Sequence, residues 1–162
     1  MILATWSAKT FARLLAAVLI VLAVAGYAFA ARCTVSATGI NFGSYNILSA
    51  APTDSTGQVN VSCNGNVTSA AISISASPTS GSFWPRDMRS SLSPSFMMAY
   101  NLYTDSTRSA VWGDGTLGTQ TVVIQPVTKK AVYTETIYAR IPARQDVYYG
   151  PYSDTLTVTV NW

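Results

Sequence analysis

An alternation of apolar and polar residues with a period of two recurs along this 162-residue chain and strongly constrains its fold. It is clearest over residues 152–162, where every second residue is polar. The apolar residues that share one face there are Leu156, Val158, Val160 and Trp162. Because side chains of a strand point alternately to opposite faces, the pattern predicts a strand whose apolar face lies in the core. Such a strand either is an ordinary edge strand or leaves an edge to which another chain adds a strand.

The mature part of the chain shows no long stretch of apolar residues at helical spacing, so the sequence predicts an all-β protein. Residues 58–63 and 67–77 alternate on either side of a turn at residues 64–66, which predicts a hairpin. Residues 79–94 are rich in Ser, Gly and Pro and predict a long loop. Further strands are predicted at residues 96–103, 119–127, 131–141 and 152–162. About seven short strands predict an immunoglobulin-like β-sandwich, with a barrel as the alternative.

The N-terminal 30 residues have the pattern of a secretory signal peptide. Lys9 and Arg13 precede an uncharged apolar run, and Ala28 and Ala30 are small residues at the two positions that signal peptidase reads. We therefore assign residues 1–30 to a signal peptide and residues 31–162 to one mature domain. An uncleaved membrane anchor is the alternative, because the run is barely long enough to span a bilayer.

The chain contains no histidine, which removes the commonest general base and the commonest metal ligand. Any catalysis would rest on seven acidic residues, most of which lie in predicted turns, where aspartate bonds its local backbone. We therefore predict no enzymatic activity, no catalytic residue, no metal site and no cofactor. The cations of the mature part are scattered rather than clustered, which argues against nucleic acid as a partner.

Cys33 and Cys63 are the two cysteines of the chain. Export makes a disulfide between them the default, and closing a loop of about thirty residues contributes roughly 3.5–4 kcal/mol in the chain-entropy model. A reactive or metal-binding thiol pair is the alternative, but basic neighbours and further ligands are lacking.

Phe83 and Trp84 form an aromatic pair inside the predicted loop. Exposed aromatic faces stack on sugars or bind apolar surfaces, so the pair is a candidate for surface binding. The alternative is that both rings close one end of the sandwich core.

Several segments, in this order and spacing, resemble the spore coat protein U domain family, which includes subunits of archaic chaperone-usher pili. The resemblance covers nearly all of residues 33–162. The segments that carry it are residues 33–36 (CTVS), 40–45 (INFGSY), 61–63 (VSC), 99–105 (AYNLYTD), 112–115 (WGDG), 138–145 (YARIPARQ) and 150–160 (GPYSDTLTVTV).

The resemblance implies an incomplete immunoglobulin-like sandwich that lacks one strand and has a structural role. Such a subunit is exported to the periplasm, held by a periplasmic chaperone, passed to an outer-membrane usher, and completed at the cell surface by an arm of a neighbouring pilin subunit. Cys33 and Cys63 would form the family disulfide. The strand at residues 152–162 would border the groove for the donor strand, and the residues contributing to the groove floor would be Leu156, Val158, Val160 and Trp162.

One feature departs from polymerising subunits of this family, which carry an alternately apolar arm before the first cysteine. Cleavage after Ala30 leaves only Ala31 and Arg32 there. We therefore expect a subunit that accepts a strand and gives none, and we place it at an end of the fibre, at the tip. The alternative is a secreted stand-alone coat domain or a carbohydrate- or surface-binding module.

Overall fold

The computed structural model describes residues 31–162, and the predicted signal peptide lies outside the described residues. The described part contains nine strands, and none of its residues forms a helix long and apolar enough to cross a membrane. The strands are β1 (Cys33–Thr38), β2 (Thr53–Cys63), β3 (Ala70–Ile74), β4 (Arg86–Ser90), β5 (Met97–Tyr103), β6 (Val122–Ile124), β7 (Val132–Ile141), β8 (Tyr152–Ser153) and β9 (Val158–Asn161).

The strands form two antiparallel sheets. The larger sheet has six strands in the order β1-β2-β7-β5-β4-β8, and the smaller has three in the order β6-β3-β9. Alternate residues of both sheets are buried in one core, to which β2 contributes Val59 and Val61 and β3 contributes Ile72 and Ile74. The predicted all-β, immunoglobulin-like sandwich with one disulfide is confirmed.

The predicted hairpin over residues 58–77 is wrong. β2 pairs with β1 and β7, whereas β3 pairs with β6 and β9 in the other sheet. The two strands each have one apolar face, and they bury these faces by lying across the sandwich from each other rather than side by side. The crossover is held by paired backbone bonds between Val67 and Val127 and by a 2.7 Å bond from the Lys129 amide to Asn66 Oδ1.

The predicted loop at residues 79–94 contains β4, which the sequence analysis missed. Its inward residues are Arg86, Met88 and Ser90, all buried. A charged residue at an inward position concealed the alternation, because arginine is almost never fully buried unless its donors find partners. The burial of Arg86 depends on acceptors that are distant in sequence.

The strand predicted at residues 152–162 is two strands in different sheets. β8 pairs with β4 in the larger sheet, and β9 pairs with β3 in the smaller. Between them, the Ser75 amide donates to the Thr157 carbonyl at 2.9 Å, and the Thr157 amide donates to Ser75 Oγ at 3.1 Å. The alternation of exposure continues through this switch, so sequence periodicity does not mark it.

Candidate functional site

The first strand is fastened to the larger sheet by the predicted disulfide. Cys33 and Cys63 lie directly opposite each other in the β1–β2 register, with a Cα–Cα distance of 4.0 Å. β1 pairs only with β2, and β9 pairs only with β3, among the residues the structure describes. β1 and β9 are therefore edge strands, one in each sheet, and the other edge strands of the two sheets are β8 and β6.

The inward face of β1 is uncovered. Val35 lies opposite Val61, and Ala37 lies opposite Val59, so each pair projects from the same face of the sheet. Val59 and Val61 are 0% exposed, whereas Val35 is 41% exposed and Ala37 is also exposed. The three-stranded sheet thus covers this face of β2 and leaves Val35 and Ala37 of β1 exposed.

A cavity of about 350 Å³ lies between these two edges. One wall is formed by the end of β1 and the residues that follow it, from Ala37 to Ile40, and the other by Asp154, Leu156 and Val158. The floor residues come from four strands and are Ile74, Met88, Tyr100, Leu102 and Ile137. The edges are joined beyond the far end of β9, where Trp162 Nε1 donates to the Ala31 carbonyl at 2.9 Å.

A second cavity of about 800 Å³ continues from the first, since both are lined by Ile40, Phe42, Met88 and Tyr152. It runs between residues 40–47 and 147–152. The first of these segments is fixed by Tyr45, whose hydroxyl donates to the Pro142 carbonyl at 2.7 Å and accepts from the Gln145 amide at 2.8 Å. We call the two joined cavities the groove.

The four residues predicted for the groove floor occupy different places. Leu156 and Val158 line the groove as part of a wall, and Val160 lies buried in the core at 9% exposure. Trp162 requires a correction: it is 55% exposed, because it lies beyond the end of β9 and its indole reaches across to Ala31. The floor residues were missed because they come from four separate strands, and their only sequence signal is the alternation within each strand.

Asp154 is the only charged residue among the described residues that line the groove. Its carboxylate accepts the Tyr100 hydroxyl at 2.7 Å and the Thr155 amide at 2.9 Å. Burial, together with the hydrogen bond to Asp154, raises the pKa of Tyr100 well above its usual value. Tyr100 is therefore protonated at neutral pH and donates its hydroxyl proton to Asp154.

Behind the floor, the side chain of Arg86 is 0% exposed and its donors are satisfied by neutral acceptors. It donates to the Trp112 carbonyl at 2.7 Å, to the Ser75 carbonyl at 2.9 and 3.1 Å, and to Asn101 Oδ1 at 2.9 Å. Desolvation lowers the pKa of Arg86, but its usual value is so high that the group stays charged. These bonds tie β3 and β4 to the segment around Trp112.

The two loop aromatics predicted for surface binding lie in different environments. Phe83 is 9% exposed, and its ring lies 5.3 Å from the Arg86 guanidinium carbon, so a surface role for Phe83 is wrong. Trp84 is 68% exposed. Its backbone is held by two bonds with the hydroxyl of Ser82, at 2.9 and 3.1 Å.

The acidic residues serve local structure. Asp105 accepts backbone amides of Ser109 and Ala110, and Asp114 accepts that of Thr116, as expected for turn aspartates. Asp87 lies in β4 rather than in the loop predicted at residues 79–94, and Asp54 lies in β2. Residues 31–162 contain no cluster of three or more side chains that could hold a metal ion.

The chain belongs to the Spore Coat Protein U domain family, whose model matches residues 19–159. It is accordingly a structural protein and not an enzyme. No curated protein matches the chain.

Two solved structures are similar to it. One belongs to the chaperone–tip adhesion subunit pre-assembly complex CsuC–CsuE from archaic chaperone-usher Csu pili of Acinetobacter baumannii, with a TM-score of 0.57 and 22% identity over 82% of this chain. At this identity the likeness shows the fold alone, and this chain spans 40% of the length of that neighbour. The other is HdaB, the minor tip subunit of the E. coli Hda pilus, with a TM-score of 0.43 and 12% identity over 78% of this chain and 80% of that one.

Proposed function

We propose that this protein is an exported structural subunit of an archaic chaperone-usher pilus or surface coat, completed by a strand from a partner. The observation that carries the proposal is the uncovered inward face of β1 beside the unpaired edge of β9. A strand paired with β9 would extend the three-stranded sheet and cover Val35 and Ala37. The same added strand would pair the free backbone groups of β9 and bury the exposed core-facing side chains of β1.

The partners follow from this role. A periplasmic chaperone would fill the groove before assembly, an outer-membrane usher would receive the subunit, and a neighbouring pilin subunit would then supply the permanent strand. The protein would pass through the periplasm to the cell surface. Family membership supports these assignments, as does the similarity in fold to a subunit found in a complex with its chaperone.

Strand complementation is tested by unfolding the exported, purified protein in urea with and without peptides of alternating apolar residues. Binding to the native state raises the midpoint of unfolding in proportion to affinity and peptide concentration. A scrambled peptide of the same composition is the control. A monomer that is stable alone, with an m-value normal for its size and no response to any peptide, would contradict the proposal.

A terminal place in the fibre is the finer part of the proposal. It requires cleavage after Ala30, which leaves two residues before Cys33. The intact mass of the protein recovered from the periplasm measures the cleavage site directly. A mass that retains residues from 19 onward, where the family match begins, would instead give the subunit an arm to donate and would remove the terminal position.

Surface binding by Trp84 is a second candidate function, favoured by an indole that is 68% exposed on a hydrogen-bonded loop. Trp84→Ala is expected to reduce adhesion of cells that display the protein while leaving the free energy of unfolding within about 0.5 kcal/mol. Phe83→Ala is the matched control, because its buried ring predicts lost stability. Unchanged adhesion of the Trp84 variant at equal surface display would exclude this function.

A further inference from the structure

The wall of the groove that belongs to residues 152–158 has a fixed order of side chains. Every second residue is partly buried, and these residues are Tyr152, Asp154, Leu156 and Val158. Three of the four are apolar or aromatic, and one is a carboxylate. Since directly opposed residues of neighbouring strands project from the same face, this order is a template for the strand that lies beside it.

The carboxylate of Asp154 has unused capacity to accept hydrogen bonds. A carboxylate offers about four acceptor sites, and Tyr100 and Thr155 occupy two of them. No cationic side chain of residues 31–162 forms an ion pair with Asp154. The nearby cation Arg86 is fully buried, and its donors are directed to Ser75, Asn101 and Trp112.

The charge of Asp154 also acts on a neighbouring strand. Asp87 lies at an outward position of β4, and its pKa is raised by burial and, to a smaller extent, by the charge of Asp154. A strand that fills the groove expels water from the carboxylate of Asp154. Covering a charge without a compensating partner is costly, so an incoming strand that is apolar throughout would bind at a disadvantage.

We propose that the groove selects an extended segment with a lysine or arginine opposite Asp154 and apolar residues at the inward positions on either side. This inference rests on the proposed function and adds the chemistry of the partner. The apolar neighbours lie opposite Tyr152 on one side and opposite Leu156 and Val158 on the other. The cation pairs with the one groove-lining charge, and its alkyl stem covers apolar wall residues.

The experiment is a lysine scan of a strand peptide of about eleven residues, the length of residues 152–162. The parent peptide carries methionine or valine at each inward position, and each variant carries one lysine, which is close to methionine in length. Affinities for the purified full protein are measured by fluorescence titration. We expect lysine to bind about threefold to tenfold more tightly than methionine at one inward position, and more weakly at every other. Scanning every position makes the test independent of strand direction.

Asp154→Asn should abolish the preference at that position and leave the affinity for the parent peptide unchanged or improved. Asp146→Asn is the matched control, because Asp146 is an exposed acid near the groove that does not line it. If Asp154→Asn fails to fold, a peptide with glutamate at the preferred position supplies the test on the unaltered protein, since it should bind more weakly than methionine.

The outcomes separate this inference from the proposed function. If the parent peptide binds and lysine is never better than methionine, the proposed role of Asp154 is overturned while strand complementation stands. If no peptide of any sequence binds, complementation itself fails. A lysine preference that survives Asp154→Asn assigns the recognition to another group and also overturns the inference.

Discussion

Val35 and Val61 are the same residue type, lie opposite each other in one register and project from the same face of one sheet, yet one is 41% exposed and the other 0%. The disulfide joins their two strands, so the difference does not come from a loose attachment of β1. The difference in exposure arises because the opposite sheet, whose last strand is β9, covers Val61 but not Val35. Burial at this edge therefore depends on what covers β1, and none of the described residues covers Val35.

The part of the core around Trp112 and Arg86, which we call the closed half, is fully buried. Trp112 is 0% exposed, and its Nε1 donates to the Ile72 carbonyl at 3.0 Å. Arg86 beside it has every nitrogen bonded to an acceptor. In the groove, by contrast, a carboxylate retains free acceptor capacity and apolar floor residues line an open cavity. Polar groups are satisfied internally around Arg86, whereas the Asp154 carboxylate in the groove keeps acceptor sites unused.

The largest effect is expected for Arg86→Met in the closed half. The substitution leaves the buried carbonyls of Ser75 and Trp112 without the Arg86 donors, and Asn101 Oδ1 keeps only its bond from the Leu102 amide, so the free energy of unfolding should fall by about 3–5 kcal/mol. Arg89→Met on the same strand is the control, because Arg89 is exposed and bonds only the Pro94 carbonyl among the described residues. Urea unfolding at a fixed concentration of a strand peptide measures the loss of stability in both variants. Equal losses would show that the closed half does not depend on its buried donor network.

Sequence reasoning succeeded where a strand carries its own burial signal. The alternation around Val59 and Val61 and that around Ile72 and Ile74 identified core strands, and β5 and β7 fell close to their predicted bounds. It failed at β4, because Arg86 faces inward only when acceptors from three other segments surround it. The residues of the groove floor were not predicted for a similar reason. They come from four strands, and only the long-range pairing of those strands brings them together.

The sheet switch after β8 was missed for a different reason. A period of two records which side of the chain faces inward, and this side stays the same when the strand passes from one sheet to the other. The pairing partner changes from β4 to β3 without any change in the pattern. The unpaired edge of β9 could therefore be suspected from the sequence. That Asp154 and Leu156 form a wall of the groove could be seen only in the structure.

A pair of matched substitutions tests the comparison between β1 and β2 directly. Val61→Ala should lower the free energy of unfolding by about 2 kcal/mol, because it opens a cavity in a filled core. Val35→Ala should lower it by less than about 1 kcal/mol in the protein alone, since much of that side chain is already in water. With a saturating strand peptide, the loss from Val35→Ala should grow toward that of Val61→Ala. Equal losses without peptide would mean that β1 is already covered.

The smallest effect concerns an ion pair on the outer face of the larger sheet, away from the groove. Asp54 accepts bonds from Arg140 at 2.7 and 2.9 Å and lies 3.3 Å from Arg108. The hydrogen bond with Arg140 is the main reason that the pKa of Asp54 is lowered. Because the folded value lies below the unfolded value of about 3.9, the stabilisation is present above that pH and is lost as pH falls through the folded pKa.

The side chains of Asp54 and Arg140 are about one-third exposed, so the pair should contribute less than about 1 kcal/mol. Asp54→Asn is expected to lower stability by that amount at pH 7 and to flatten the loss of stability below about pH 4. Urea unfolding at a series of pH values measures both effects. The same substitution should leave strand-peptide affinity unchanged, since neither Asp54 nor Arg140 lines the groove. A change in peptide affinity would instead show that the outer face and the open edge are coupled through β2 and β7, and that the independence of the two regions does not hold.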